Sequence, residues 1–160
     1  MTPLFKKLNY KNQANILVLN APASFDGELH DMAAWAHILK GAETLEAIDF
    51  ALVFATQQNE VDAAISLLSP KLEGDAVLWF CYPKGSSKKY KCDFNRDTGW
   101  AVLGQHGLEP VRQVAIDEDW SALRFRKAEY IRTLTRSESF TMSAEGKKRA
   151  KAHADALPKK

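Results

Sequence analysis

A chain of 160 residues with 46% apolar and 26% charged residues is long enough to bury one sizeable core and too apolar for wholesale disorder. Its net charge of +2 is uneven, because residues 145–160 hold six Lys or Arg against two Asp or Glu, which leaves −2 for residues 1–144. The basic balance belongs to the tail and does not make the chain a nucleic-acid protein. Cys81 and Cys92 form neither a disulfide framework nor a metal-ligand spacing, which fits a reducing compartment. With no signal-peptide core in the first 13 residues and no apolar run near the roughly 20 residues of a membrane span, a cytoplasmic protein is expected.

Residues 1–13 are polar and basic apart from Leu4, Phe5, Leu8 and Tyr10, and read as an arm or short helix against the body. A single α/β domain is expected over 14–131, with 132–160 a basic tail, partly disordered or helical. Ala14–Asn20 is a short continuous apolar run of buried-strand type, stopped by Pro22. Met32–Leu39 has helical spacing until Gly41, so a short helix followed by an edge strand near Thr44–Ile48 is expected. Phe50–Thr56 is a second buried strand. Asn59 is the expected N-cap of a helix over Glu60–Ser69, with Val61, Ala64, Ile65 and Leu68 as its apolar stripe. Pro70 and Gly74 end it, and Asp75–Tyr82 is the next strand. From Phe50 to Tyr82 is 33 residues, the length of one βαβ crossover.

Thr98 is placed to cap a helix over Gly99–His106 that closes at Gly107. Val111–Asp117 is a strand, Asp117–Asp119 a turn, and Trp120–Ala128 an alternating strand, so an antiparallel hairpin at the sheet edge is expected. The fold class is α/β, a three-layer Rossmann-like sandwich with a mostly parallel sheet and a C-terminal antiparallel hairpin.

In such sheets ligands bind beyond the carboxyl ends of the strands. The loop that leaves Asp75–Tyr82 carries Lys84, Gly85, Ser86, Ser87, Lys88, Lys89 and Lys91, with Arg96 before the next helix. Lys84, Ser86, Ser87, Lys88 and Arg96, with Asn20 after the first strand, are the candidate site for an anionic small molecule. The plainer reading is a solvated loop, and no P-loop pattern is present. The Asp117-Glu118-Asp119 run is read as a hairpin turn rather than a metal site, with Trp120 a lid on the sheet edge. Cys92, among cationic sequence neighbours, is the more reactive thiol of the two, and His30, His37, His106 and His153 show no catalytic or metal spacing. The tail has no aromatic residues between its charges, which argues against nucleic-acid stacking.

LWFCYPKGSSKKYK at 78–91, DTGW at 97–100 and GLEPVRQVAIDEDWSALRFR at 107–126 resemble a family of small bacterial proteins classed as a domain of unknown function. The likeness spans about residues 14–130 and implies a Rossmann-like domain without an assigned activity. A more distant likeness is to the second half of class I methyltransferases, which also end in a helix and an antiparallel hairpin. Those enzymes need a glycine-rich turn after the first strand. Here that turn reads Asn20-Ala21-Pro22-Ala23-Ser24-Phe25-Asp26-Gly27, in which glycine comes late and Pro22 lacks a donor. The expectation is an accessory or binding domain with no recognisable catalytic constellation and the cofactor left open. The alternatives are a divergent methyltransferase-like transferase using a nucleotide-derived cofactor, or a protein-interaction module using Trp35, Trp100 or Trp120.

Overall fold

The buried-strand runs segregate their side chains to two faces, and this alternation builds the molecule. In the computed structural model, which describes residues 1–94 and 99–131, the elements are α1 (Pro3–Lys7), β1 (Asn15–Leu19), α2 (Asp26–Met32), β2 (His37–Leu39), β3 (Ile48–Phe54), α3 (Gln58–Leu68), β4 (Leu72–Pro83), α4 (Ala101–Gln105), β5 (Leu108–Ala115) and β6 (Trp120–Lys127). On one face Ala51 and Val53 of β3 and Leu78 and Phe80 of β4 pack under α3 and α4. On the other Phe50, Leu52, Phe54, Val77, Trp79 and Cys81 pack under α1 and α2. Two helical layers over one sheet make the three-layer α/β sandwich. Each fully buried Phe or Leu contributes about 1.5–3 kcal/mol, so both faces are strongly specified.

The sheet has six strands in the order β2-β1-β3-β4-β6-β5. The pairs β1–β2, β1–β3 and β3–β4 are parallel, whereas β4–β6 and β5–β6 are antiparallel. From β1 the chain first steps outward to β2 and then crosses back to β3 on β1's other side. That reversal makes β1/β3 the topological switch point.

Helix α1 begins at Thr2, whose Oγ1 accepts the Phe5 N–H at 3.1 Å, with Pro3 in the first turn. Its Phe5 is fully buried, as is Leu8 beyond it, and the Leu8 carbonyl accepts the Trp79 indole N–H at 2.9 Å. The first residues are therefore part of the core.

Several boundaries differ from expectation. The helix read over Met32–Leu39 lies at Asp26–Met32 instead, and His37–Leu39 pairs with β1 as the edge strand. Eight residues of apolar spacing cannot separate a helix end from a short strand. Thr44–Ile48 is no strand of its own. Leu45 N–H bonds to Ala42 O at 3.1 Å in a turn, and Ile48 opens β3.

The N-cap of α3 is Gln57, not Asn59. The acceptors come from elsewhere, because Glu60 Oε1 reaches back to Gln57 N at 3.1 Å and Asp93 Oδ1 takes Gln58 N–H at 2.7 Å. Strand β4 begins at Leu72 rather than Asp75, running through Gly74 at φ +57° with an irregular register against β3. Strand β5 begins earlier too, at Leu108, and Pro110 is tolerated because β5 is the sheet edge. Helix α4 is shorter than the expected Gly99–His106, and Gly107 closes it at φ +79° as expected. The expected cap Thr98, Arg96 and the tail from 132 lie outside the described residues.

Candidate functional site at the carboxyl edge of the sheet

Strand β1 ends at Asn20, which stands at φ +60°, a left-handed conformation that Asn tolerates better than most residues. The chain then enters a 3₁₀ turn over Ala23–Phe25, with Phe25 N–H bonded to Pro22 O at 2.9 Å. Phe25 is buried and packs on Phe54 at 5.0 Å, Phe54 on Trp120 at 5.2 Å, and Trp120 on Tyr90 at 4.9 Å. An aromatic chain thus runs from the first turn to the hairpin.

Three clefts meet at Asn20. One of about 180 Å³ lies toward Asp26 and Lys40, and one of about 540 Å³ runs along α3 past Glu60 to Leu67. The third, about 180 Å³, is the switch-point cleft, enclosed by Thr56, Glu60, Tyr90 and Trp120. Tyr90 is shared with a larger cleft of about 750 Å³, lined by Lys84, Ser87, Lys91, Cys92, Gln113 and Ser121. Through Asn20 and Tyr90 these clefts form a row along the carboxyl edge.

The sequence-derived candidates divide between two places. Lys84 lines the large cleft, while Ser86 and Lys88 are exposed outside its lining. Asn20 belongs to the switch point. Ser87 lines the large cleft but is committed internally. Its Oγ donates to Asp119 Oδ1 at 2.8 Å and accepts the Tyr90 and Lys89 N–H groups at 3.1 and 3.3 Å. Its role is to shape the loop, since its one hydroxyl proton is already given. Arg96 lies outside the described residues.

The loop is tied to the hairpin turn by hydrogen bonds. Besides receiving Ser87, Asp119 accepts the Lys84 N–H through its carbonyl at 2.8 Å. Asp117 Oδ1 accepts the N–H groups of Asp119 and Trp120, both at 2.8 Å, so the acidic run is a turn, as read. Among the described residues no group of three His, Cys, Asp or Glu could hold a metal ion.

Three expectations are corrected. Cys92 is not an activated thiol, because burial first, and the Asp93 and Glu60 carboxylates after it, raise its pKa. Lys84 and Lys91 line the same cleft as Cys92, yet burial dominates. Burial pushes the Cys81 thiol higher still. Trp120 is not an edge lid, and neither it nor Trp100 is available for docking, since each is 3% exposed. Trp35 alone of the three is exposed, at 53%.

Thr56 and Glu60 were missed. Glu60 Oε1 accepts Thr56 N–H at 2.9 Å, Thr56 Oγ–H at 3.2 Å and Gln57 N–H at 3.1 Å, fixing both side chains at the cleft. The signal was present, because the carboxyl-end rule applied to β3 points to this corner.

No protein-family model matches this chain, so its resemblance to the domain of unknown function stands on the quoted residues alone. No curated protein matches either. Solved structures do. A SAM-dependent methyltransferase from Aquifex aeolicus superposes with a TM-score of 0.55 at 12% identity, over 78% of this chain and 87% of that one. The N-methyltransferase NodS from Bradyrhizobium japonicum WM9 gives 0.50 at 18% identity over 78% and 91%. NodS in complex with S-adenosyl-L-homocysteine gives 0.50 at 18% over 78% and 83%. The shared fold is that of methyltransferases. Among the described residues no helix is long and apolar enough to cross a membrane.

Proposed function

We propose that this chain is a divergent methyltransferase-like protein that binds a nucleotide-derived small molecule along the carboxyl edge of its sheet. The observation that carries the reading is the coincidence of the β1/β3 switch point with the row of clefts joined through Asn20 and Tyr90. The methyltransferase fold of its structural neighbours supports this reading better than an accessory domain or a protein-interaction module. Lys84 and Lys91 on the wall of the large cleft supply positive sign for the ligand's anionic part. The protein is cytoplasmic in this reading, as its cysteine usage suggests.

The fold family brings S-adenosylmethionine to mind, and the first turn does not fit it. Pro22 offers no N–H, the turn lacks a glycine before Gly27, and Phe25 fills the space beside β1 against Phe54. Thus no methyl-transfer step follows from these residues.

A second reading has its own observation. The 750 Å³ cleft with Lys84 and Lys91 suits binding of an anion without chemistry. Calorimetric titration of the full chain with ATP, NAD, coenzyme A, S-adenosylmethionine and inorganic phosphate separates the two. Saturable binding of one nucleotide-bearing compound, several-fold weaker in Lys84→Ala than in Lys88→Ala, supports the first. Phosphate binding as tight as any nucleotide's supports the second. Flat titrations at millimolar ligand would sink both.

A further inference from the structure

We propose that Arg112 and Arg124, side by side on the hairpin next to the end of α1, form a site for a dianionic phosphate group. It is separate from the clefts described above and does not depend on the reading given to them. Its placement follows from strand register. Arg124 of β6 is paired with Trp79 of β4 on one side and with Arg112 of β5 on the other. Trp79, Val114 and Ala122 of the same three strands belong to the layer under α1 and α2, and alternation puts both arginines on that face. Tyr82 and Ser121 of the large cleft alternate to the other face. The end of α1 borders the pair, because Leu8 O accepts the Trp79 indole N–H at 2.9 Å and Asn9 Oδ1 accepts an Arg112 Nη1–H at 3.2 Å.

Two features of the pair are costly without an anion. Like charges directly opposite each other on neighbouring strands destabilise a sheet, and the register sets Arg112 opposite Arg124. Arg124 is also half-buried, yet among the described residues it makes no hydrogen bond and no ion pair. Arginines taken out of water are almost always paired. The Arg124 Nε is shielded, whereas its two terminal nitrogens, also unpaired, remain open to solvent, where an incoming group can reach them. Arg126 shows the contrast, since it holds Asp75 through two hydrogen bonds at 2.8 and 2.6 Å. Asp75 is the carboxylate that acts on Arg124, and it is already committed.

Charge then selects the ligand. Arg112, Arg124 and Arg126 against Asp75 leave +2. A phosphate monoester carries about −1.5 to −2 near neutral pH with three acceptor oxygens, whereas a diester carries a single charge. The guanidinium fork matches phosphate geometry, and Arg112 beside Arg124 offers two such forks. The chain's own residues 145–160, at +4, have the wrong sign to fill the site.

Calorimetric titration of the full chain with inorganic phosphate, methyl phosphate and dimethyl phosphate tests this, at low salt and at mildly alkaline pH where the first two are dianions. Inorganic phosphate should bind saturably, and about tenfold more weakly to Arg112→Gln, which lacks one charge-assisted contact. Dimethyl phosphate should bind the unaltered chain about tenfold more weakly than inorganic phosphate. Methyl phosphate binding as well as inorganic phosphate makes the occupant the phosphate end of a larger molecule; inorganic phosphate binding alone makes it the free ion. No saturable phosphate binding at millimolar concentration would overturn the site. So would binding that is unchanged in Arg112→Gln and lost in Lys84→Ala, or dimethyl phosphate binding as tightly as inorganic phosphate. Arg124→Gln should weaken phosphate as Arg112→Gln does, and should it fail to fold, the exposed Arg112 still decides.

Discussion

Two loops leave the same edge of this sheet with opposite characters. The exit of β1, Asn20 to Phe25, turns inward. Its 3₁₀ turn buries Phe25 against Phe54, while Asn20 before it stays exposed where the clefts meet. The exit of β4, Lys84 to Phe94, turns outward around a cleft of about 750 Å³ and is held to the rest by polar ties. Ser87 bonds to Asp119, Asp93 N–H to Thr56 O at 3.1 Å, and Asp93 Oδ1 to Gln58 N–H. A shared fold thus leaves chemistry to the loops: the turn after β1 anchors one ring in the core, and the loop after β4 is held around its cleft by polar ties.

If the contrast is right, mutations at the two exits differ widely in cost. Phe25→Ala should lose about 3–5 kcal/mol of unfolding free energy, because a buried aromatic is replaced by a cavity. A denaturant titration shifting by under 1 kcal/mol would show that the first turn is not core. Ser87→Ala should cost about 1–2 kcal/mol, since Asp119 loses a donor and two N–H groups lose their acceptor, with part of the loss returned by water at this partly exposed site. It should also raise proteolysis within 84–92 before global unfolding, which Phe25→Ala should not do selectively.

A smaller effect lies away from both exits, at the Asp75–Arg126 pair behind the hairpin. Two hydrogen bonds, at 2.8 and 2.6 Å, hold Asp75 below the usual carboxylate range, chiefly through the Arg126 side chain. A depressed folded pKa means the contribution is fully present above about pH 4, where the unfolded aspartate ionises, and is lost as pH falls through the lower folded value. With the side chains 32% and 33% exposed, it is worth at most about 1 kcal/mol. Asp75→Asn should therefore be slightly less stable at pH 7, the gap closing under acid. A gap that persists at pH 2 would assign the loss to packing. Smallest of all, Lys88→Ala should change stability by less than about 0.5 kcal/mol, because Lys88 is exposed and off the cleft wall.

The sequence by itself determined the middle of the sheet. Ile16–Leu19, Phe50–Phe54 and Ala76–Tyr82 are continuous apolar runs, and only strands covered on both faces bury every residue of such a run. It also determined the hairpin, through Asp117 and the alternation after Trp120, and the loop after β4 as a place of interest. Tertiary structure decided what depended on distant partners. β2 exists because His37–Leu39 finds β1, and α3 starts at Gln58 because Asp93, far along the chain, accepts its N–H. Ser87 is spent on the distant Asp119 and Cys92 is raised chiefly by burial, neither of which its local sequence reveals. The switch-point cleft is the plainest case. Asn20, Thr56, Glu60, Tyr90 and Trp120 come from four separate stretches, and only the parallel sheet, which brings the carboxyl ends of β1, β3 and β4 to one edge, makes them neighbours.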